Sequence, residues 1–141
     1  PPEIKERNVY IVLINTYNQL FVESEVMDVK NLCKGVKEFI ANPNGSEQLS
    51  EQEEKDIPLL GKVMVSKGVV SLQNDKGTLY EKYIEVQNEL VRAFNELRDE
   101  YAKQRFGMSF DDLDEERRSA IQELYPQSIS EAEPRNVGGN R

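Results

Sequence analysis

The longest unbroken apolar run is Val9–Ile14, Val-Tyr-Ile-Val-Leu-Ile. β-Branched and aromatic side chains with no polar interruption predict a strand buried on both faces. Asn15-Thr16-Tyr17-Asn18 carries turn residues and Gln19–Glu23 resumes an extended pattern, so Val9–Glu23 is expected to form a β-hairpin. The period then changes. Val29, Leu32, Cys33, Val36, Phe39 and Ile40 recur at helical spacing and make one apolar stripe. Asp28 is placed to accept an orphan N–H at the start of that helix, and Asn42-Pro43-Asn44-Gly45 ends it because proline cannot continue the hydrogen-bond ladder.

Ser46–Lys55 is charged and polar, and reads as a short helix or an exposed loop, with Ser50 and Glu53 spaced for a capping box. Val63–Val65 and Val69–Leu72 are β-rich and flank Ser66-Lys67-Gly68, which fits either a tight hairpin or one strand interrupted by a glycine bulge. The longest helix is expected from Leu79 to Arg105, with Tyr80, Tyr83, Ile84, Gln87, Leu90, Val91, Phe94, Leu97 and Tyr101 along its stripe. At about 1.5 Å per residue such a rod is roughly 40 Å long and overhangs a small sheet. Its far end needs cover, which Gly107–Tyr125 is expected to supply as a shorter helix capped by Ser109 or Asp114. Gln127–Glu133 alternates weakly, like an exposed edge strand. The fold class expected is α+β, a small mixed sheet with two main helices on one face and extra helical insertions. Residues 1–8 read as a linker, 9–134 as the domain and 135–141 as a disordered tail.

Length and charge narrow the functional classes. The 141 residues fit one domain, and 18 Lys and Arg against 26 Asp and Glu give a formal charge of -8. An acidic chain without a basic stripe argues against binding nucleic acid or an anionic membrane surface. No apolar run approaches the ~20 residues of a membrane helix. Cys33 is the single cysteine and there is no histidine, which removes an intrachain disulfide framework, zinc ribbons and Ser–His or Cys–His chemistry. The chain begins Pro1-Pro2-Glu3 without Met or a signal peptide, and reads as a piece cut from a longer protein.

Candidate chemistry is sparse. Asn74-Asp75-Lys76-Gly77-Thr78 stands between a strand and a helix, where backbone N–H groups can hold an anion, but it lacks the glycines and Lys-Ser/Thr pair of a phosphate loop. Asp112, Asp114, Glu116 and Glu123 mimic calcium-loop positions, yet Arg117 occupies the place of the obligatory glycine and Arg118 follows it. A carboxylate-rich helix start accounts for the same residues. Asn44-Gly45-Ser46 matches a glycosylation sequon and equally a flexible turn. Cys33 lies inside an apolar stripe and reads as a small core residue. No residue is singled out as catalytic, cofactor-binding or metal-ligating, and the chain is expected not to be an enzyme.

Three segments carry a resemblance: Asn8–Glu23 (NVYIVLINTYNQLFVE), Gly68–Glu96 (GVVSLQNDKGTLYEKYIEVQNELVRAFNE) and Tyr125–Pro134 (YPQSISEAEP). With the order hairpin, helix, strand, long helix, strand, they resemble the periplasmic domain of the ExbD/TolR family of biopolymer transport proteins, in its longer Gram-negative form. The resemblance implies a homodimeric, non-catalytic domain on the periplasmic side of the inner membrane, anchored by a single membrane helix upstream of Pro1. It implies an ExbB- or TolQ-like membrane partner, a TonB- or TolA-like partner, and a proton-carrying Asp in that upstream helix. The activity implied is transduction of the protonmotive force to support outer-membrane transport or integrity. Asn42–Ser66 and Arg105–Tyr125 are longer than in compact members. Partner binding is expected by strand addition at an exposed edge, Leu20, Phe21 and Val22 or Ser128, Ile129 and Ser130, although Glu23, Glu131 and Glu133 equally suit protected edges. The rival readings are a stand-alone periplasmic binding or adaptor domain without a motor role, and a small hydrolase using carboxylates.

Overall fold

The computed structural model describes residues 4–135. Residues 1–3 of the expected linker and 136–141 of the expected tail lie outside the described residues. After a 3-10 turn at Glu6–Asn8, β1 (Val9–Ile14) turns back into β2 (Leu20–Val22), which pairs antiparallel with it, Val12 opposite Val22 and Ile14 opposite Leu20. The turn is set by Asn15, whose Oδ1 accepts from Tyr17 N–H at 3.0 Å and Gln19 N–H at 2.9 Å. β3 (Glu25–Val26) continues the antiparallel meander.

Asp28 accepts from Lys30 N–H at 3.0 Å and opens a 3-10 turn that leads into α1 (Leu32–Ala41). The helix stops at Asn42, whose φ of 38° is left-handed. Its side chain then ties down the following loop, donating to Ser46 O and Ser50 O and accepting from Ser46 N–H.

The next segment departs from expectation. β4 (Gln52–Ile57) pairs antiparallel with β5 (Gly61–Ser66) in a separate two-stranded sheet, so the polar stretch ends in a strand and not a helix. Ser50 forms no capping box; it is buried, donating to Phe39 O at 2.7 Å and sharing a 2.7 Å bond with Ser66 Oγ. β6 (Val69–Asn74) belongs to the main sheet, parallel to β1. Both readings of Ser66-Lys67-Gly68 are therefore corrected: the two β-rich segments lie in different sheets, and the chain changes sheet at Lys67-Gly68.

α2 (Tyr80–Phe106) is one helix ended by Gly107 at φ 72°. Its buried face is Val86, Leu90, Ala93, Phe94 and Leu97. Tyr80, placed on the expected stripe, is 74 % exposed because the first turn lies outside the packed core, and Val86 and Ala93, left off the stripe, are buried. α3 (Glu115–Leu124) starts at Asp114, whose carboxylate accepts from Arg117 N–H. β7 (Ile129–Glu131) closes the main sheet parallel to β6, giving the order β3-β2-β1-β6-β7.

This is an α+β fold, and α1 and α2 pack on the same face of its mixed sheet. Tyr10, Val12 and Ile14 of β1 join Val70 and Leu72 of β6 with the stripes of both helices in one core, and the Tyr10 ring stacks on Phe39 at 4.8 Å. The opposite face carries no helix. Val9, Ile11 and Leu13, in register with Val69, Ser71 and Gln73, line it, and Ile11 is 40 % exposed. β1 is thus buried on one face only, because both helices cover the same side.

The far end of α2 is covered as expected, by a second small core in which Ile57, Leu60 and Val65 of the hairpin meet Ala120 and Leu124 of α3, with Tyr101 and Phe106 alongside. Ala102, Leu113 and Ile121 extend it. The insertions are therefore part hairpin and part helix, and not wholly helical. The described end of the expected linker also belongs to the fold. Asn8 is buried, donating to Glu51 Oε1 and accepting from Glu51 N–H at 2.8 Å each, while Arg7 donates to Leu49 O and Ser46 O.

Candidate partner-binding edges

Strand addition needs a row of unpaired backbone N–H and C=O groups. Leu20–Val22 lacks one. β3 pairs along its outer side, Phe21 opposite Val26 and Val22 opposite Glu25, and Met27 N–H reaches Leu20 O at 2.9 Å. The side chains of Leu20 and Val22 are sealed in the core at 3 % and 5 % exposure, and Phe21 points to the other face. As an edge, this site is corrected: the turn Glu23-Ser24, both residues at positive φ, folds the next residues back over it.

Ser128, Ile129 and Ser130 do lie at a sheet border. Val70 N–H donates to Ser128 O at 2.8 Å and Ala132 N–H to Leu72 O at 3.1 Å, so the even-numbered residues bond inward to β6. By alternation, the backbone of Ile129 and Glu131 turns outward. Ile129 N–H is folded back onto Gln127 O at 2.9 Å, which leaves Ile129 C=O and both groups of Glu131 along the open side. The Ile129 side chain is half-buried against the main core, and Ser130 is exposed.

Polar contacts anchor this border strand. The Tyr83 hydroxyl and Gln87 Nε2 both donate to Glu131 Oε1, the latter at 2.8 Å. Burial first, and then this hydrogen bond and the nearby carboxylate charge, push the Tyr83 phenol up to about 12. Beyond the strand, Arg135 N–H donates to Asn74 O and Lys76 N–H to Arg135 O. The Arg135 guanidinium contacts Asp75 Oδ1 through Nε at 2.9 Å and Nη2 at 2.8 Å. Asp75 itself is 3 % exposed, so its cation comes from the segment that follows β7.

The sequence offers Glu131 as one of three carboxylates that equally suit a protected edge, and its bonds to α2 are not among the expectations. One signal was present: Gln87 is the polar member of an otherwise apolar stripe, one helical turn from Tyr83, and both point at the same acceptor.

The other candidate chemistry is spent inside the fold. Asn74 Nδ2 donates to Thr78 Oγ1 at 3.0 Å and Thr78 N–H to Asp75 O at 3.4 Å, which closes the Asn74–Thr78 turn on itself. Asp114 caps α3 and pairs with the Arg117 guanidinium, and Asp112 accepts from Ser109 Oγ at 2.9 Å. No group of three His, Cys, Asp or Glu side chains converges for a metal among the described residues. Cys33 is buried in the main core, where desolvation raises its thiol pKa. A groove of about 490 Å³ runs between Pro58-Leu59 at the hairpin tip and Glu116, Ala120 and Glu123 of α3. No helix among the described residues is long and apolar enough to cross a membrane. Compared with known proteins, the chain matches no protein-family model and no curated protein.

Proposed function

We propose that this chain is the periplasmic domain of an inner-membrane energy-transducing complex of the ExbB–ExbD–TonB or TolQ–TolR type, working without catalysis of its own. The observation that carries the reading is the arrangement of the three segments that bear the resemblance. Asn8–Glu23 supplies the hairpin β1–β2, Gly68–Glu96 supplies β6 and most of α2, and Tyr125–Pro134 supplies β7, all in one sheet under one long helix. The parallel border strand β7 supports a relay role: its outward backbone can take a partner's strand, the bonds of Glu131 to Tyr83 and Gln87 tie that event to α2, and Arg135, beyond the strand, ties the following segment to Asp75 at the end of β6. The protonmotive input comes from an Asp in a membrane helix upstream of Pro1, beside an ExbB- or TolQ-like protein, and the output goes to a TonB- or TolA-like partner. Two copies pair in the complex.

The test is the native gene upstream of Pro1. An apolar run of about 20 residues containing one Asp is expected. A cleavable signal peptide in its place would make the domain a stand-alone adaptor, and turnover by the isolated chain would replace the reading with an enzyme.

A further inference from the structure

Pro58 and Leu59 form the tip of the β4–β5 hairpin, closed by Leu60 N–H donating to Ile57 O at 3.0 Å. Leu59 has a φ of 71°, the left-handed value that follows proline in a type II turn and that glycine adopts without strain. Ile57 and Leu60 of the same turn are buried in the second core, whereas Leu59 is 50 % exposed and stands outside it. Neither backbone geometry nor packing therefore accounts for a leucine here. Its side chain borders the groove of about 490 Å³ against α3. The α3 wall is small in the middle, at Ser119 and Ala120, and acidic at both ends, at Glu116 and Glu123. These glutamates lie two helical turns apart on one face, about 10 Å along the axis. The macrodipole favours Glu115 and Glu116 in the first turn of α3, but it opposes Glu123 in the last. The nearby arginines are engaged elsewhere. Arg117 pairs with Asp114 and lies over the Phe106 ring at 5.4 Å, and Arg118 donates to Leu113 O. Arg105 donates to Leu59 O and Leu60 O at 3.4 and 3.3 Å. Among the described residues, neither Glu116 nor Glu123 makes a salt bridge.

We propose that this groove docks an extended, basic segment of a partner protein, with one apolar side chain over Leu59 and Ala120 and a Lys or Arg on each side of it meeting Glu116 and Glu123. Charge complementarity selects that occupant. An acidic segment is repelled by the wall, and a neutral one covers the carboxylates without pairing them. The carboxylates do not converge for a metal ion, so the ligand carries its charges apart. On an extended chain, residues i, i+2 and i+4 point the same way and span about 13 Å, which long cationic side chains match to glutamates about 10 Å apart. The hairpin tip and α3 lie outside the three segments that bear the resemblance, so this inference goes beyond the reading above and either can fail alone.

The test is a proton–nitrogen NMR titration of the full chain with the end-blocked peptide Lys-Ser-Leu-Ser-Lys, up to about 5 mM because the contact is small. Amides of Leu59, Leu60 and α3 shift, and raising NaCl from about 20 to 300 mM weakens the binding. Glu-Ser-Leu-Ser-Glu does not bind, and Lys-Ser-Ser-Ser-Lys binds about threefold more weakly for want of the apolar contact. Glu123→Gln weakens Lys-Ser-Leu-Ser-Lys about threefold. Glu81→Gln, which makes the same charge change in the first turn of α2, weakens it less than about 1.5-fold. Leu59→Gly also weakens binding about threefold while leaving the melting temperature unchanged or higher, since glycine suits the positive φ. No shift at the hairpin tip and α3 overturns the inference. Equal losses in Glu123→Gln and Glu81→Gln reduce the binding to attraction by a chain at -8 and overturn it as well. Equal affinity for the leucine and all-serine peptides, or a Leu59→Gly variant that melts lower and binds unchanged, makes Leu59 a structural residue and overturns the groove as the site.

Discussion

Gly68 stands where the chain leaves the hairpin for the main sheet, and a Cβ built there falls 2.7 Å from Phe39 Cε2 and 2.9 Å from Ser50 Cβ. Neither neighbour can yield, since Phe39 is buried under the Tyr10 ring and Ser50 is bonded to the end of α1. Gly68→Ala should cost about 1–3 kcal/mol by overpacking, read from the urea midpoint at unchanged m-value. Tyr83 makes a pH-dependent prediction. Its phenol titrates near 10 in the unfolded chain and at about 12 when folded, and Tyr10 behaves alike because burial, then Glu23 and Glu38, push it up to about 12. Between these values the folded state holds protons that the unfolded chain has released, so stability is complete below pH 10 and falls toward pH 12. A pH series of unfolding midpoints should show that decline, with a shallower slope in Tyr83→Phe. An unchanged slope would mean that neither burial nor the Glu131 contact raises this phenol in solution.

Elements were legible in proportion to how local their causes are. The β1–β2 hairpin, the Asp28 start, the Asn42 stop and the Asp114 cap are each written within a few residues, and they stand where the pattern puts them. β4 was illegible because Gln-Glu-Glu-Lys-Asp has no strand propensity; it is held by pairing with β5 and by Ile57 beneath α3. The border strand was legible from its alternation, but its polar anchors were not, since Glu131, Arg135 and Asp75 meet partners far away in sequence. Likewise, closure of the Leu20–Val22 side by a two-residue strand depends on the Glu23-Ser24 backbone, which composition does not announce. α2 was read correctly as one rod, with the packed face shifted to include Val86 and Ala93. Phe94 belongs to both versions of that face and is 1 % exposed. Phe94→Ala should destabilise by roughly 3–5 kcal/mol in chemical denaturation. A loss below about 1 kcal/mol would count against the helix packing.

At the scale of the molecule, two cores of unequal size share one helix. The main core joins β1, β2 and β6 to α1 and the first part of α2, while the smaller one joins the β4–β5 hairpin and α3 to the last turns of α2. The smaller core is made of a few side chains, and the exposed polar face of its hairpin adds little apolar burial to it. Local opening free energy scales with such burial, so the hairpin and α3 should open below the global unfolding free energy. Native-state hydrogen exchange checks this directly. Amides of β1, β6 and α1 should exchange only through global unfolding, those of β4, β5 and α3 sooner. Leu124→Ala should speed the second group by at least tenfold and leave the first nearly unchanged at low denaturant. If the two groups exchange together in both proteins, the cores form one cooperative unit and α2 transmits strain along its whole length. If they separate, the end of α2 beyond Leu97 is free to respond to its own surroundings while the sheet that presents β7 stays rigid.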